Sequence, residues 1–254
     1  MHFKLLKLAS IAFLVLWIDM EGFSQDSNPA ADGFRSDISD EKAIKIADEI
    51  MIAMGRRENW DKTRYLSWSF FGRRTHLWDR YTGDIRIEIP VDDMTILMNI
   101  NSEKGKIRKN GEVLQNSDSI EKYLDLGKRL WINDSYWLVM PFKLKDSGVA
   151  LRKIDNMSEN PEGVPSDVLQ LTFESVGVTP ENKYLVFVGK DSRLINYWSF
   201  FRTADQKEAD FSTPWSDYKK YNEILLSGNR GKNSLANIDV LNENEVDPEK
   251  FSKF

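Results

Sequence analysis

The spacing of apolar residues changes character several times along the chain, and each change marks an element. Leu8 to Ile18 is an apolar run interrupted only by Ser10. Residues 25–38 are polar and carry Pro29 and Gly33, which predicts a flexible lead-in. From Ser39 onward the apolar positions Ala43, Ile46, Ala47, Ile50, Met51 and Met54 recur every three or four residues. That spacing predicts an amphipathic helix. Ser39 is its expected N-cap, Asp40 and Glu41 suit the positive end of its dipole, and Gly55 is placed for a left-handed C-cap.

At Arg64 the period becomes two. Leu66, Trp68 and Phe70 alternate with Tyr65, Ser67 and Ser69, and His76 and Trp78 alternate with Leu77 and Asp79. Ile85, Ile87 and Ile89 follow the turn Tyr81-Thr82-Gly83-Asp84, and Met94, Ile96, Met98 and Ile100 continue the pattern. Asn110-Gly111 is a hairpin dipeptide between Ile107 and Val113. These features predict an antiparallel meander. A second helix is expected from Ser119 to about Leu130, with Ile120, Tyr123, Leu124 and Gly127 on one face. Tyr136 to Phe142 is almost continuously apolar and reads as a strand, which Pro141 would place at an edge, at a bulge or at its end. Further strands are expected at Val168–Glu174, Tyr184–Val188, Leu194–Phe201, Tyr218–Ser227 and Leu235–Leu241, with Gly228 to Lys232 as a hairpin turn. The charged tail Asn242–Phe254 has Val246, Phe251 and Phe254 as its anchors.

The first apolar run changes the address. Lys4 and Lys7 precede it, no acidic residue comes before Asp19, and Gly22-Phe23-Ser24 is a small-x-small site. Residues 1–24 therefore read as a cleavable secretory signal peptide, cut after Ser24 or Gln25. As a helix the run would rise only about 16 Å, against about 30 Å of bilayer core, so no stable membrane anchor is expected. The chain has no Cys, which excludes a lipid-anchored cysteine and disulfides. Periplasmic or secreted location is expected, with residues 39–254 as one monomeric domain that depends on its core.

Charge and composition exclude several chemistries. The formal charge of the whole chain is −5 and no basic stripe stands out, which argues against nucleic acid. Beyond residue 24 the only histidine is His76, so a zinc site of clustered His and Cys ligands is not expected. No phosphate-binding loop, calcium loop or nucleophile elbow occurs. No cofactor and no catalytic residue is expected. His76, close to Arg73, Arg74 and Asp79, would be the base of an exported hydrolase with a polar cleft, but a surface or partly packed strand histidine is the simpler reading. A carboxylate pair is the other route to hydrolysis, although the spacing promotes no particular pair.

The positive signal is aromatic. Seven Trp lie beyond residue 24, several in runs such as Trp68-Ser69-Phe70-Phe71 and Tyr197-Trp198-Ser199-Phe200-Phe201. Neighbouring strand residues point to opposite faces, so these runs put large apolar groups on both faces of a sheet. Either they build a two-sided core or they enclose an apolar pocket. A chain of about sixteen carbons buried in such a pocket would gain roughly 13 kcal/mol gross. Association costs about 4–15 kcal/mol, so apolar contact alone can support binding.

Three segments carry a resemblance: Tyr81-Thr82-Gly83-Asp84-Ile85-Arg86, Asn133 to Lys143, and Tyr218 to Arg230. They resemble an uncharacterised family of exported proteins from Bacteroidota-type bacteria. The layout is similar to the periplasmic lipoprotein-carrier superfamily. The resemblance implies an α+β fold, a curved antiparallel half-barrel of about nine to eleven strands with helices on its concave side. It also implies a lipophilic ligand, an acyl chain or an acylated protein, held by the strand aromatics Trp68, Phe70, Trp137, Phe142, Trp198 and Phe200. A closed apolar cavity beneath the helix at 39–54 would be the mark of a carrier. The alternatives are the hydrolase and an envelope scaffold that binds another protein through an aromatic patch.

Overall fold

The computed structural model describes residues 27–174 and 181–254. The signal peptide expected at residues 1–24 lies outside them. Residues 28–38 are docked, in contrast to the flexible lead-in expected there. Ala31, Arg35 and Asp40 donate their backbone N–H groups to the carbonyls of Lys145, Val149 and Leu151.

Two helices follow, α1 (Glu41–Ala53) and α2 (Arg57–Lys62). The apolar stripe of α1 is buried as its spacing predicts, and Gly55 ends the helix with a positive φ of 110°. The N-cap is Asp40, one residue beyond the expected Ser39, and neither side chain caps the helix. Ser39 Oγ and Asp40 Oδ2 instead accept the backbone N–H groups of Leu151 and Lys153. These bonds and the lead-in cover a strand edge that would otherwise present unpaired groups to solvent.

The meander is β1 (Tyr65–Phe70), β2 (Arg74–Asp79), β3 (Asp84–Ile89), β4 (Met94–Asn99), β5 (Lys104–Lys109) and β6 (Glu112–Val113). Each pairs antiparallel with the next, and Asn110-Gly111 turns the last hairpin as expected. Then comes α3 (Ser117–Val139), whose first turn is capped by Asn116 accepting from the Ser119 N–H at 2.9 Å. The rest of the chain is β7 (Val149–Lys153), β8 (Ser166–Phe173), β9 (Lys183–Gly189), β10 (Ile195–Phe201), β11 (Phe211–Pro214), β12 (Ser216–Tyr221), β13 (Ile224–Arg230) and β14 (Asn233–Leu241).

Among the described residues these strands form two antiparallel sheets. One has nine strands in the order β12-β13-β14-β1-β2-β3-β4-β5-β6, the other five in the order β11-β10-β9-β8-β7. They meet at Trp215, the single residue between β11 and β12, whose N–H bonds Asn196 O on β10. The architecture is an α+β half-barrel, unclosed, with helices against its inner face. Strands β7 and β11 and the helix α2 went unread in the sequence. The single strand expected at Tyr218–Ser227 is two strands that turn at Asn222-Glu223.

The largest correction concerns Tyr136–Phe142. The expected strand is the last turn of α3 followed by a 3-10 turn at Met140–Phe142. The apolar run is continuous because this end of the helix is enclosed on several sides, and enclosure erases any period. Pro141 opens the 3-10 turn, where a missing N–H is tolerated, and marks no sheet edge. Gly127 lets α3 approach β4, since a Cβ there would meet the side chains of Ile96 and Met98 at 3.0 Å.

Leu66, Trp68 and Phe70 point inward and join α1 and the inner face of the five-stranded sheet in the main core. Ile85, Ile87, Ile96, Met98 and Ile107 form a second core under Tyr123, Leu124 and Leu130 of α3. Outside, the C-terminal tail packs Val246 and Phe251 over Tyr65 and Leu77. Arg86 holds the tail through the carbonyls of Lys250 and Lys253.

Candidate functional site

Aromatic rings from β10, β9, β11 and α3 meet at one end of the half-barrel. Trp198 of β10 stacks on Tyr184 of β9 with centroids 5.0 Å apart and packs edge-on against Trp137 of α3 at 4.6 Å. Phe200 stacks on Phe211 of β11 at 5.1 Å, and Phe211 in turn stacks on Trp137 at 5.9 Å. Phe71, from the β1–β2 turn, meets Trp137 edge-on at 5.3 Å and stacks on Phe70 at 4.0 Å. Trp198 is buried, Trp137 and Phe200 are half-buried, and Phe211 keeps 41% of its surface in water. Large aromatic side chains bury on the order of 150–250 Å² each, so leaving part of this array wet is a sizeable concession.

The structure therefore brings three of the six expected residues, Trp137, Trp198 and Phe200, into one array, and Phe70 adjoins it through Phe71. Trp68 and Phe142 lie elsewhere. Trp68 stacks on His76 at 4.6 Å. Phe142 stacks on Trp60 at 4.3 Å, and Arg80 covers the other side of Trp60 at 3.5 Å. Arg80 also donates to the carbonyls of Trp60 and Thr63 at the end of α2, and burial pushes its pKa to about 10. Tyr184, Phe211 and Phe71 were missed. Phe211 sits on a four-residue strand too short to show a period, and Phe71 has a positive φ at a turn.

The stripe of α1 packs into the main core. Ile50 and Met54 have no accessible surface, so no water-sized space touches these two side chains. Among the described residues an apolar space opens beside α3. A slot of about 590 Å³ runs between Leu126 and Leu130 of α3 and Ile89, Pro90 and Val91 at the end of β3, with Arg73, Arg74 and Asp92 at its rim. Its size falls in the usual range for small-molecule sites. The slot and the aromatic array flank the same β1–β2 turn, Phe71 to Arg74.

The helix α3 is clasped to the sheet between these two features. Asp134 is wholly buried and accepts a bidentate pair from Arg74, with Nη2 to Oδ1 at 2.6 Å, and the Nε2–H of His76 at 2.7 Å. Asn133 adds a bond at 2.9 Å. Burial pushes Asp134 upward, but its bonds to Arg74 and His76 outweigh that and hold the carboxyl below its usual range. Burial pushes His76 down past the upward pull of Asp134, leaving a neutral ring. His76 is 2% exposed and its Nδ1 has no hydrogen-bond partner. A general base needs its substrate's proton within reach. The ring is stacked on Trp68 and its side chain keeps only 1% of its surface in water, although His76 also lines the cleft beneath the C-terminal tail. The arrangement is a structural clasp.

The clasp sets a pH dependence. His76 is protonated in the unfolded chain below about pH 6.5 and resists protonation when folded. Its contribution is complete above that pH and is lost as pH falls from there toward its lower folded value. Asp134 adds a second loss below its ordinary value near pH 4. Urea midpoints are expected to decline from pH 6.5 to 5, and His76→Gln to flatten that part of the curve. An unchanged decline in the variant would remove His76 as its source.

Among the described residues no group of three or more His, Cys, Asp or Glu could hold a metal, and no helix is long and apolar enough to cross a membrane. No protein-family model matches the chain, and no curated protein does. Among solved structures it is similar to a DUF1329 family protein from Desulfovibrio piger. That match has 12% identity and a TM-score of 0.44, covering 82% of this chain and 96% of the other. It is also similar to MucB, with 11% identity and a TM-score of 0.26, covering 82% of this chain and 63% of that one.

Proposed function

We propose that this protein is an exported binding protein of the bacterial envelope whose ligand is lipophilic, an acyl chain or a lipid-like molecule, and that it works without catalysis. The observation that carries this reading is the half-wet aromatic array of Trp137, Phe200 and Phe211 beside an apolar slot, at one end of an unclosed half-barrel. Exposed apolar surface beside a concavity is where a lipophile gains most by leaving water. The ligand lies along the rings of Trp137, Trp198 and Phe200 and extends under α3, with Phe70 as the floor of the turn. Trp68 and Phe142 support this site from within the core. The hydrolase alternative loses its histidine, because the His76 ring is sealed between Trp68 and Asp134.

Native mass spectrometry of protein purified from its own periplasm tests this. A co-purifying apolar mass, and quenching of tryptophan emission by an added brominated fatty acid, are expected. Trp137→Ala is expected to weaken uptake at least tenfold. Protein that is always empty and takes up no apolar probe would overturn the reading.

A further inference from the structure

The slot beside α3 differs from the aromatic array in one respect: it has cations at its mouth. Arg74 is occupied by Asp134. Arg73, next to it on the β1–β2 turn, is exposed and makes no ion pair among the described residues. The third charged residue lining the slot, Asp92, is exposed and forms no ion pair with Arg73. Arg73 thus stands at the mouth as a cation without an ion-pair partner among the described residues, on a chain whose formal charge is −5. Below it the walls are Leu126, Leu130 and Ile89, and Val91 stands at the rim with 85% of its surface in water. Apolar walls with one unspent guanidinium at the opening complement a molecule with one aliphatic chain and an anionic head.

We infer that the slot between α3 and the end of β3 binds a single-chain anionic amphiphile, with Arg73 holding its carboxylate or phosphate and Leu126, Leu130 and Ile89 its chain. This rests on the lipophile-binding reading and adds the class of ligand and the place of its head. Arg73 suits either acid, since a guanidinium presents paired donors to carboxylate and phosphate alike. A single chain fits because about 590 Å³ lies within the range for one drug-sized ligand.

The test uses the mature full chain and four probes of equal chain length: hexadecanoate, hexadecyl phosphate, hexadecanol and hexadecyltrimethylammonium, each competing against a fluorescent fatty acid at low salt. Both anions are expected to bind at least tenfold more tightly than the alcohol, and the cation more weakly still. Arg73→Glu is expected to abolish the anion preference while leaving the alcohol's affinity within about twofold. Leu130→Trp, which fills the slot, is expected to weaken all four. Tighter binding of one anion than the other assigns the head as carboxylate or phosphate. Equal affinity for anion, alcohol and cation, or an Arg73→Glu variant that keeps the preference, overturns the inference but leaves the lipophile-binding reading intact. If no probe binds, both fail. Circular dichroism and the urea midpoint of each variant establish that it is folded.

Discussion

Asp134→Ala is expected to destabilise the fold by about 3 kcal/mol, read as a drop in the urea midpoint at pH 7.5. Breaking a buried ion pair by removing one partner typically costs about 3–5 kcal/mol, because it strands the other charge. The substitution strands two groups, the Arg74 guanidinium and the His76 Nε2–H. Arg74 keeps 14% of its side-chain surface in water, so part of its hydration returns, and the lower end of that range applies. The clasp also joins the C-terminal part of α3 to β2, so its loss frees a helix as well as a charge. The double variant Asp134→Leu with Arg74→Met removes both charges and is expected to recover most of the loss, since apolar replacement of a buried pair is often neutral. A single variant within 1 kcal/mol of wild type would show that the clasp is energetically idle.

Arg230→Ala is expected to cost about 2–5 kcal/mol, from orphaned acceptors and the cavity left behind. Arg230 is 2% exposed and has no carboxylate partner among the described residues. Burial pushes its pKa down to about 9. What holds it is a ring of acceptors: Trp137 O at 2.6 Å, Asn229 O at 2.7 Å, Ser227 Oγ at 2.8 Å and Ser227 O at 3.2 Å, with Trp215 stacked at 3.5 Å. The bond to Trp137 O has a covalent cause. A continuing helix would satisfy that carbonyl from the N–H four residues on, which is Pro141, and proline has none. Arg230 supplies the missing donor from β13 and places its charge at the negative end of the α3 dipole. In a Pro141→Ala background, where a backbone donor is restored, the cost of Arg230→Ala is expected to shrink by about 1 kcal/mol. Equal costs in both backgrounds would separate Arg230 from the proline.

These two clasps show where reading along the chain stops. Alternation identified β1 to β4 and the faces of Leu66, Trp68 and Phe70, because each strand has one face in the core and one turned outward, leaving a period of two. The stripe of α1 was legible for the same reason at a period near 3.6. Trp137 was singled out correctly as a large apolar group and placed on the wrong element. At Tyr136–Phe142 enclosure removes the contrast on which periodicity depends. Of the candidate site, Trp137, Trp198 and Phe200 could be named from aromatic content. Phe211 could not, nor could the pairing of His76 with a carboxylate 58 residues away.

The sequence by itself determined the meander, the first helix, the hairpin at Asn110-Gly111 and an aromatic content too large for one face of a sheet. All of these follow from local rules, propensity and one-sided burial, that act within a few residues. Tertiary structure alone decided that α3 runs on to Val139, that Ile50 and Met54 are sealed in the core and that an apolar slot opens beside Arg73. It also decided that His76 is a strut. Those outcomes depend on which distant groups share a desolvated volume. A buried charge or an orphaned carbonyl is satisfied by whatever the fold brings within about 3 Å, and that distance is independent of separation along the chain.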